Sequence, residues 1–246
     1  MNTGLNGKTV LITESALNFG RATALAFAAE GANLVLATAD SSEQMEQTAN
    51  QASALGVRVV TGVCDIGDES QVQGLVAKGI GEFRHLDVLV INSLFPLPDS
   101  PFDEIPLGLW KQKIHQEVTG PVFICKEVLP LMIERSWGRI INFAGLSGFQ
   151  GSDAPSSTTE LGIVGLTRGI AHEYGKHNIT ANCVCPGGIE APQELGRLSF
   201  PPREGDPLPR WGTEGEVAFL AVFLASEDAG YVTGQCLLPN GGKYFL

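Results

Sequence analysis

The chain of 246 residues carries 27 acidic and 16 basic side chains, a formal net charge of −11. That length suits one α/β domain with a full core and is short for two. The acidic balance argues against nucleic-acid binding, which needs a basic surface for counterion release. No apolar run reaches the roughly 18–20 residues of a membrane span. The opening "MNTGLNGKTV" lacks the basic-then-apolar order of a secretion signal. A cytoplasmic protein with no membrane and no nucleic-acid partner is therefore expected.

Strand-like apolar runs alternate with helix-period segments from end to end. "KTVLIT" precedes the helical "GRATALAFAAEG", "NLVLAT" precedes "SEQMEQTANQASALG", and "RVVTGVCD" precedes "ESQVQGLVAKGIGEF". "LDVLVIN" leads into one long helix expected from about Leu109 to Arg135, followed by the strand "GRIINFAG". The helix "TELGIVGLTRGIAHEYGKH", the strand "ITANCVCPGG", the helix "TEGEVAFLAVFLAS" and a last strand near "GQCLLPN" complete the order. Continuous Val/Ile/Leu strands between amphipathic helices predict a parallel sheet covered on both faces. The fold class expected is a single-domain, Rossmann-like, doubly wound α/β fold over residues 1–246. The Pro/Gly-rich stretch 187–210 is expected to overhang the ligand crevice, which in such folds lies beyond the carboxyl ends of the strands.

Cys64, Cys125, Cys183, Cys185 and Cys236 include no Cys-x-x-Cys pair, so buried, reduced thiols acting as small hydrophobes are expected. His85, His115, His172 and His177 show no metal-ligand spacing, and no metal site is expected.

Several motifs in order resemble those of the short-chain dehydrogenase/reductase family over nearly the whole chain. They are Thr13 and Gly20 at the ends of the first turn, "CDI" with Asp65, "LDVLVIN" with Asn92, "GRIIN" at 138–142, "CPGGIEAP" from Cys185, the run from Arg210 through "VTGQ", and the terminal "NGG". The resemblance implies a nicotinamide cofactor and an Asn-Ser-Tyr-Lys tetrad, and it fixes the register in which those positions are read.

In that register the functional positions depart from the family. The glycine-rich turn Thr-Gly-x-x-x-Gly-x-Gly reads Thr13, Glu14, Ser15, Ala16, Leu17, Asn18, Phe19, Gly20, so only the last glycine remains. Glycines let the backbone turn tightly and approach a pyrophosphate with bare N–H groups. Glu14 in their place adds bulk and charge. Leu94 stands for a glycine under the adenosine ribose, Thr38 for the acid that holds ribose hydroxyls, with Asp40 two residues late, and Ala191 for a hydroxyl residue near the nicotinamide. Asp65 and Asn92 are the family contacts that survive, and Asp65 could equally be a capping or turn acid.

The tetrad positions read Glu117 for Asn, Gly145 for Ser, Ser156 for Tyr and Glu160 for Lys. In an active member the Lys cation lowers the Tyr pKa so that the phenol can exchange a proton with the substrate. A serine hydroxyl beside a carboxylate reverses that arrangement. The expectation is a chain with no catalytic residue and no bound cofactor.

The family's two long helices form a dimer-making bundle, and its C-terminal segment supports a tetramer. The resemblance therefore implies a partner: a homologous active subunit in a hetero-oligomer, expected as a tetramer. NAD would sit in that partner, in a dehydrogenase acting on a hydroxyacyl-CoA. The tail "GGKYFL" is read as reaching toward the partner's substrate pocket. The competing reading is a non-redox lyase or hydrolase that uses Glu117 and Glu160 as an acid/base pair.

Overall fold

A computed structural model describes residues 2–40, 43–190 and 205–245. The stretch 191–204, which contains Ala191 and most of the expected crevice loop, lies outside the described residues.

The strands are β1 (Thr9–Ile12), β2 (Asn33–Thr38), β3 (Val59–Val63), β4 (Val88–Ile91), β5 (Gly138–Phe143), β6 (Ile179–Val184) and β7 (Cys236–Leu237). All pair in parallel, in the order β3-β2-β1-β4-β5-β6-β7. The helices are α1 (Asn18–Ala29), α2 (Glu43–Ala54), α3 (Glu69–Phe83), α4 (Leu107–Ile114), α5 (Gly120–Arg135), α6 (Ser147–Gln150), α7 (Ala154–Tyr174) and α8 (Glu214–Ala225). Strand order reverses between β1 and β4, the switch point at which such sheets open their ligand crevice.

Two apolar layers sandwich the sheet. One holds Leu11, Val35, Leu89, Ile124, Met132 and Ile140 beneath α3 and α5. The other holds Val10, Phe27, Leu34, Val88, Ile141 and Val217 beneath α1 and α8. Burial on both faces explains why the strands read as unbroken aliphatic runs. Helix starts follow local chemistry: Asp68 caps α3 by accepting from Ser70 and Gln71, Asp153 caps α7 by accepting from Ser156, and Thr213 with Glu216 makes a capping box on α8.

The long helix expected over residues 109–135 is present as one continuous helical run, α4 and α5 joined through a π segment. Between α4 and α5 the chain makes a wide π turn, His115–Thr119, which holds Glu117. Such bulges accommodate one extra residue per turn and redirect the side chains they carry. Also, α7 begins at Ala154, earlier than the apolar period indicated, because Pro155 in the first turn and the Asp153 cap start it there. Among the described residues no helix is long and apolar enough to cross a membrane.

Candidate functional site

The turn after β1 keeps positive φ at Glu14 and Asn18, the positions of the family's first two glycines, and retains the third glycine, Gly20. Glu14 has φ 47° and Asn18 φ 49°, both in the left-handed region that glycine adopts freely and a bulky residue adopts at a cost of roughly 1–2 kcal/mol. Gly20 is indispensable, since a Cβ there would run into the carbonyl of Glu14. The Glu14 side chain neither swings into solvent nor lies along the turn. Its carboxylate accepts from the Ala39 N–H at 3.2 Å and the Thr38 hydroxyl at 3.3 Å, so it closes over the end of β2. Burial pushes its pKa up, with Asp40 and Asp65 adding to the rise against those two hydrogen bonds.

The two surviving family contacts hold structure. Asn92 is clasped to Thr13: its N–H donates to the Thr13 hydroxyl at 2.9 Å, the hydroxyl donates to the Asn92 carbonyl at 2.7 Å, and the Asn92 amide donates to the Thr13 carbonyl at 3.1 Å. Asp65 acts as a turn acid, accepting from the Gly67 N–H at 2.8 Å and from the Gln116 amide at 2.9 Å. Leu94 is 64% exposed.

The second corner lies between β5, the π turn and α7, and it brings together the four tetrad positions. Glu117 is buried with both oxygens engaged. One oxygen accepts from Lys113 Nζ at 2.8 Å and from the Phe95 N–H at 2.7 Å, and the other accepts from the Thr159 hydroxyl at 2.6 Å. Lys113 is itself buried and also donates to the Phe95 carbonyl at 3.1 Å. An ion pair out of water is tolerable only when further hydrogen bonds support it, and here both Glu117 oxygens and two of the Lys113 donors have partners. The sequence reading missed Lys113 and Thr159. The signal for Lys113 was present, because residues four apart on a helix face one another.

Glu160 extends toward β5. A Cβ on Gly145 would collide with its carboxyl, whose Cδ would lie 2.8 Å away. Its other oxygen accepts from the Gly148 N–H at 3.2 Å. Burial pushes the Glu160 pKa up, and nearby Glu117 adds to the rise; hydrogen bonds from Gly148 and Ser147 oppose it. Ser156 lies half-buried in the first turn of α7, its N–H donating to Asp153 at 2.8 Å. The side chains leave a cavity of about 20 Å³, lined by Ser93, Glu117, Asn142, Thr159 and Glu160 among others, room for about one water.

Chemically, this corner lacks a phenol, an ammonium aimed at a phenol and a hydroxyl at residue 145. Glu117 is a poor general base, since such a group must reach a substrate proton and both its oxygens are held by the protein. The tail folds back on its own chain: Tyr244 rests on Phe149, with ring centroids 6.5 Å apart, and Lys243 pairs with Asp206 at 2.9 Å. Phe245 is 78% exposed.

Residues 15–243 match the family model described as enoyl-(acyl carrier protein) reductase. The chain belongs to the short-chain dehydrogenase/reductase family. It is 34% identical to the (2S)-[(R)-hydroxy(phenyl)methyl]succinyl-CoA dehydrogenase subunit BbsD of Thauera aromatica, across 98% of each chain. It is 33% identical to the 3-oxoacyl-[acyl-carrier-protein] reductase FabG of Thermotoga maritima, across 97% of this chain and 98% of that one. Among solved structures, levodione reductase superimposes with a TM-score of 0.88 at 30% identity, across 97% of this chain and 98% of that one. A short-chain dehydrogenase/reductase from Burkholderia xenovorans superimposes with a TM-score of 0.90 at 30% identity, across 98% of both.

Proposed function

We propose that this chain is a non-catalytic subunit, which assembles with and supports an active, homologous short-chain dehydrogenase subunit. The observation that carries the reading is the filled catalytic corner: the Glu117–Lys113–Thr159 cluster and the Glu160 carboxyl beside Gly145 occupy the region where the family places its tetrad. Glu14 and Asn18 support it at the other corner, because side chains there replace the bare backbone a pyrophosphate needs. In this reading the chain binds no nicotinamide cofactor, and NAD belongs to the partner.

Assembly surfaces fit the proposal. Phe102 is 61%, Leu107 65% and Leu161 45% exposed, on and beside the helices that the family uses for dimerisation. Apolar side chains of this size on one region favour burial against another subunit. Likeness to a dehydrogenase subunit from Thauera aromatica supports a finer form of the proposal. The complex would then be an NAD-dependent hydroxyacyl-CoA dehydrogenase that oxidises 2-(α-hydroxybenzyl)succinyl-CoA in anaerobic toluene degradation, in a cytoplasmic heterotetramer.

Purification of the tagged chain from its native cell tests the assignment. An intact-tetrad homologue is expected at equal stoichiometry, and calorimetry of the isolated chain with NAD and NADH is expected to give no binding heat. Tight NADH binding with alcohol oxidation by the isolated chain would overturn it.

A further inference from the structure

Three of the five cysteines, expected as buried, reduced thiols, converge on one another. Cys183 on β6 and Cys185 just beyond it are two residues apart in extended chain, so their side chains share a face. Strand β7 pairs Cys236 directly with Cys183. The Cys183 and Cys185 sulfurs are 3.5 Å apart, those of Cys185 and Cys236 3.2 Å apart, and all three lie within 4.8 Å of one another. Cys64 and Cys125 are buried away from this group.

The surroundings are apolar on the sheet side and open at one edge. Leu146, Ile163 and Val164 pack around Cys183 and Cys185, both fully buried, while Cys236 on the last strand is partly exposed. Among the described residues no His, Asp or Glu completes the group as a further ligand.

We propose that Cys183, Cys185 and Cys236 form a three-thiolate site for a single soft, thiophilic metal ion of the zinc or copper(I) class. Metal–thiolate bonds of 2.3 Å place sulfurs about 3.8–4.0 Å apart in tetrahedral or trigonal geometry. The close sulfur pairs at 3.2 and 3.5 Å need open by only about half an ångström to meet it. Thiolate donors select soft ions over Mg2+ or Ca2+. A bound cation also offsets the cost of gathering three sulfur charges in an apolar pocket. The partly exposed Cys236 edge gives the ion an entry path and leaves a fourth position for water. Ile163 packs against the cysteines and also lines the crevice cavity, and none of the three cysteines is among the residues that line that cavity.

The test uses the full chain, fully reduced and stripped of metal. Titration with Cd2+ is expected to raise a sulfur-to-metal charge-transfer absorption that saturates at one equivalent, with proton release. Cu+ is expected to displace it, and Cd2+ is expected to displace Zn2+ bound beforehand. Cys236→Ser is expected to weaken binding at least about 100-fold, the upper end of what loss of a mere outer-shell partner costs, whereas Cys64→Ser is expected to leave it unchanged. Should the Cys236 variant fail to fold, alkylation mapping of the wild-type chain decides: bound Zn2+ is expected to protect Cys183, Cys185 and Cys236 together. Absence of the charge-transfer band, its persistence in Cys236→Ser, or alkylation of Cys236 unaffected by Zn2+ would overturn the proposal.

Discussion

The turn after β1 and the corner between β5, the π turn and α7 have changed in opposite ways. At the turn, the backbone is conserved in form and the side chains are foreign to it: Glu14 and Asn18 both sit at positive φ, a conformation that suits glycine. At the corner, the side chains have been rebuilt into a satisfied cluster, with Lys113, Thr159 and the Phe95 N–H all serving Glu117. The turn therefore stores strain, whereas the corner stores interaction. A single substitution toward the family residue should relax the first and damage the second.

The largest effect is expected from breaking the corner. Glu117→Ala leaves Lys113 as a buried, unpaired cation, and loss of one partner of such a pair costs about 3–5 kcal/mol. Chemical denaturation checks it, and a loss below about 1 kcal/mol would mean that Lys113 escapes to solvent. Next, Gly145→Ser places a Cβ against the Glu160 carboxyl and is expected to cost about 1–3 kcal/mol, the usual range for overpacking. In a Glu160→Ala background the same change should be nearly neutral. Additive costs in that double-mutant cycle would show that the two residues do not compete for space.

A smaller effect depends on pH. Burial raises the folded pKa of Glu160 above its ordinary value of 4.5, so the fold favours the protonated carboxyl. The associated stability is fully present below pH 4.5 and is lost as pH rises through the raised value. Glu160→Gln should flatten that decline in denaturation midpoints measured across the range. Glu14 is shifted the same way by burial, so part of the slope should remain. A slope unchanged by the substitution would mean that Glu160 titrates normally.

The smallest change is expected at the turn. Glu14→Gly relieves roughly 1–2 kcal/mol of backbone strain and forfeits the hydrogen bond from Ala39, worth about 0.5–1.5 kcal/mol. The net should be within about 1 kcal/mol, of either sign. The sharper readout is binding: if the retained backbone is all a nucleotide needs, Glu14→Gly with Asn18→Gly should give measurable NADH affinity by calorimetry while Glu117 and Glu160 still withhold turnover.

Much of this was legible in the residues. Continuous aliphatic runs placed the strands and 3.6-residue patterning the helices, and the bounds of α3 fall where the run "ESQVQGLVAKGIGEF" put them. The family resemblance assigned Glu117, Gly145, Ser156 and Glu160 to one corner, and the fold brings them there. The direction of the Glu14 carboxylate was not legible, because it depends on where the end of β2 lies relative to the first turn. Nor was the π segment between α4 and α5, since it preserves the helical pattern on either side of it.

The sequence by itself determined the layered α/β class and the parallel sheet, because those follow from the order and patterning of apolar runs, and the family resemblance of its motifs marked the altered positions. Only the tertiary structure decided which distant groups meet. Lys113 and Glu117 are four residues apart, yet Thr159 joins them only when α7 crosses the π turn. Cys183 and Cys185 share a strand face by local geometry, but Cys236 reaches them from 51 residues beyond Cys185. It does so because β7 adds to the sheet edge beside β6. Strand order and register are set by burial of whole faces, and no spacing between cysteines along the chain encodes them.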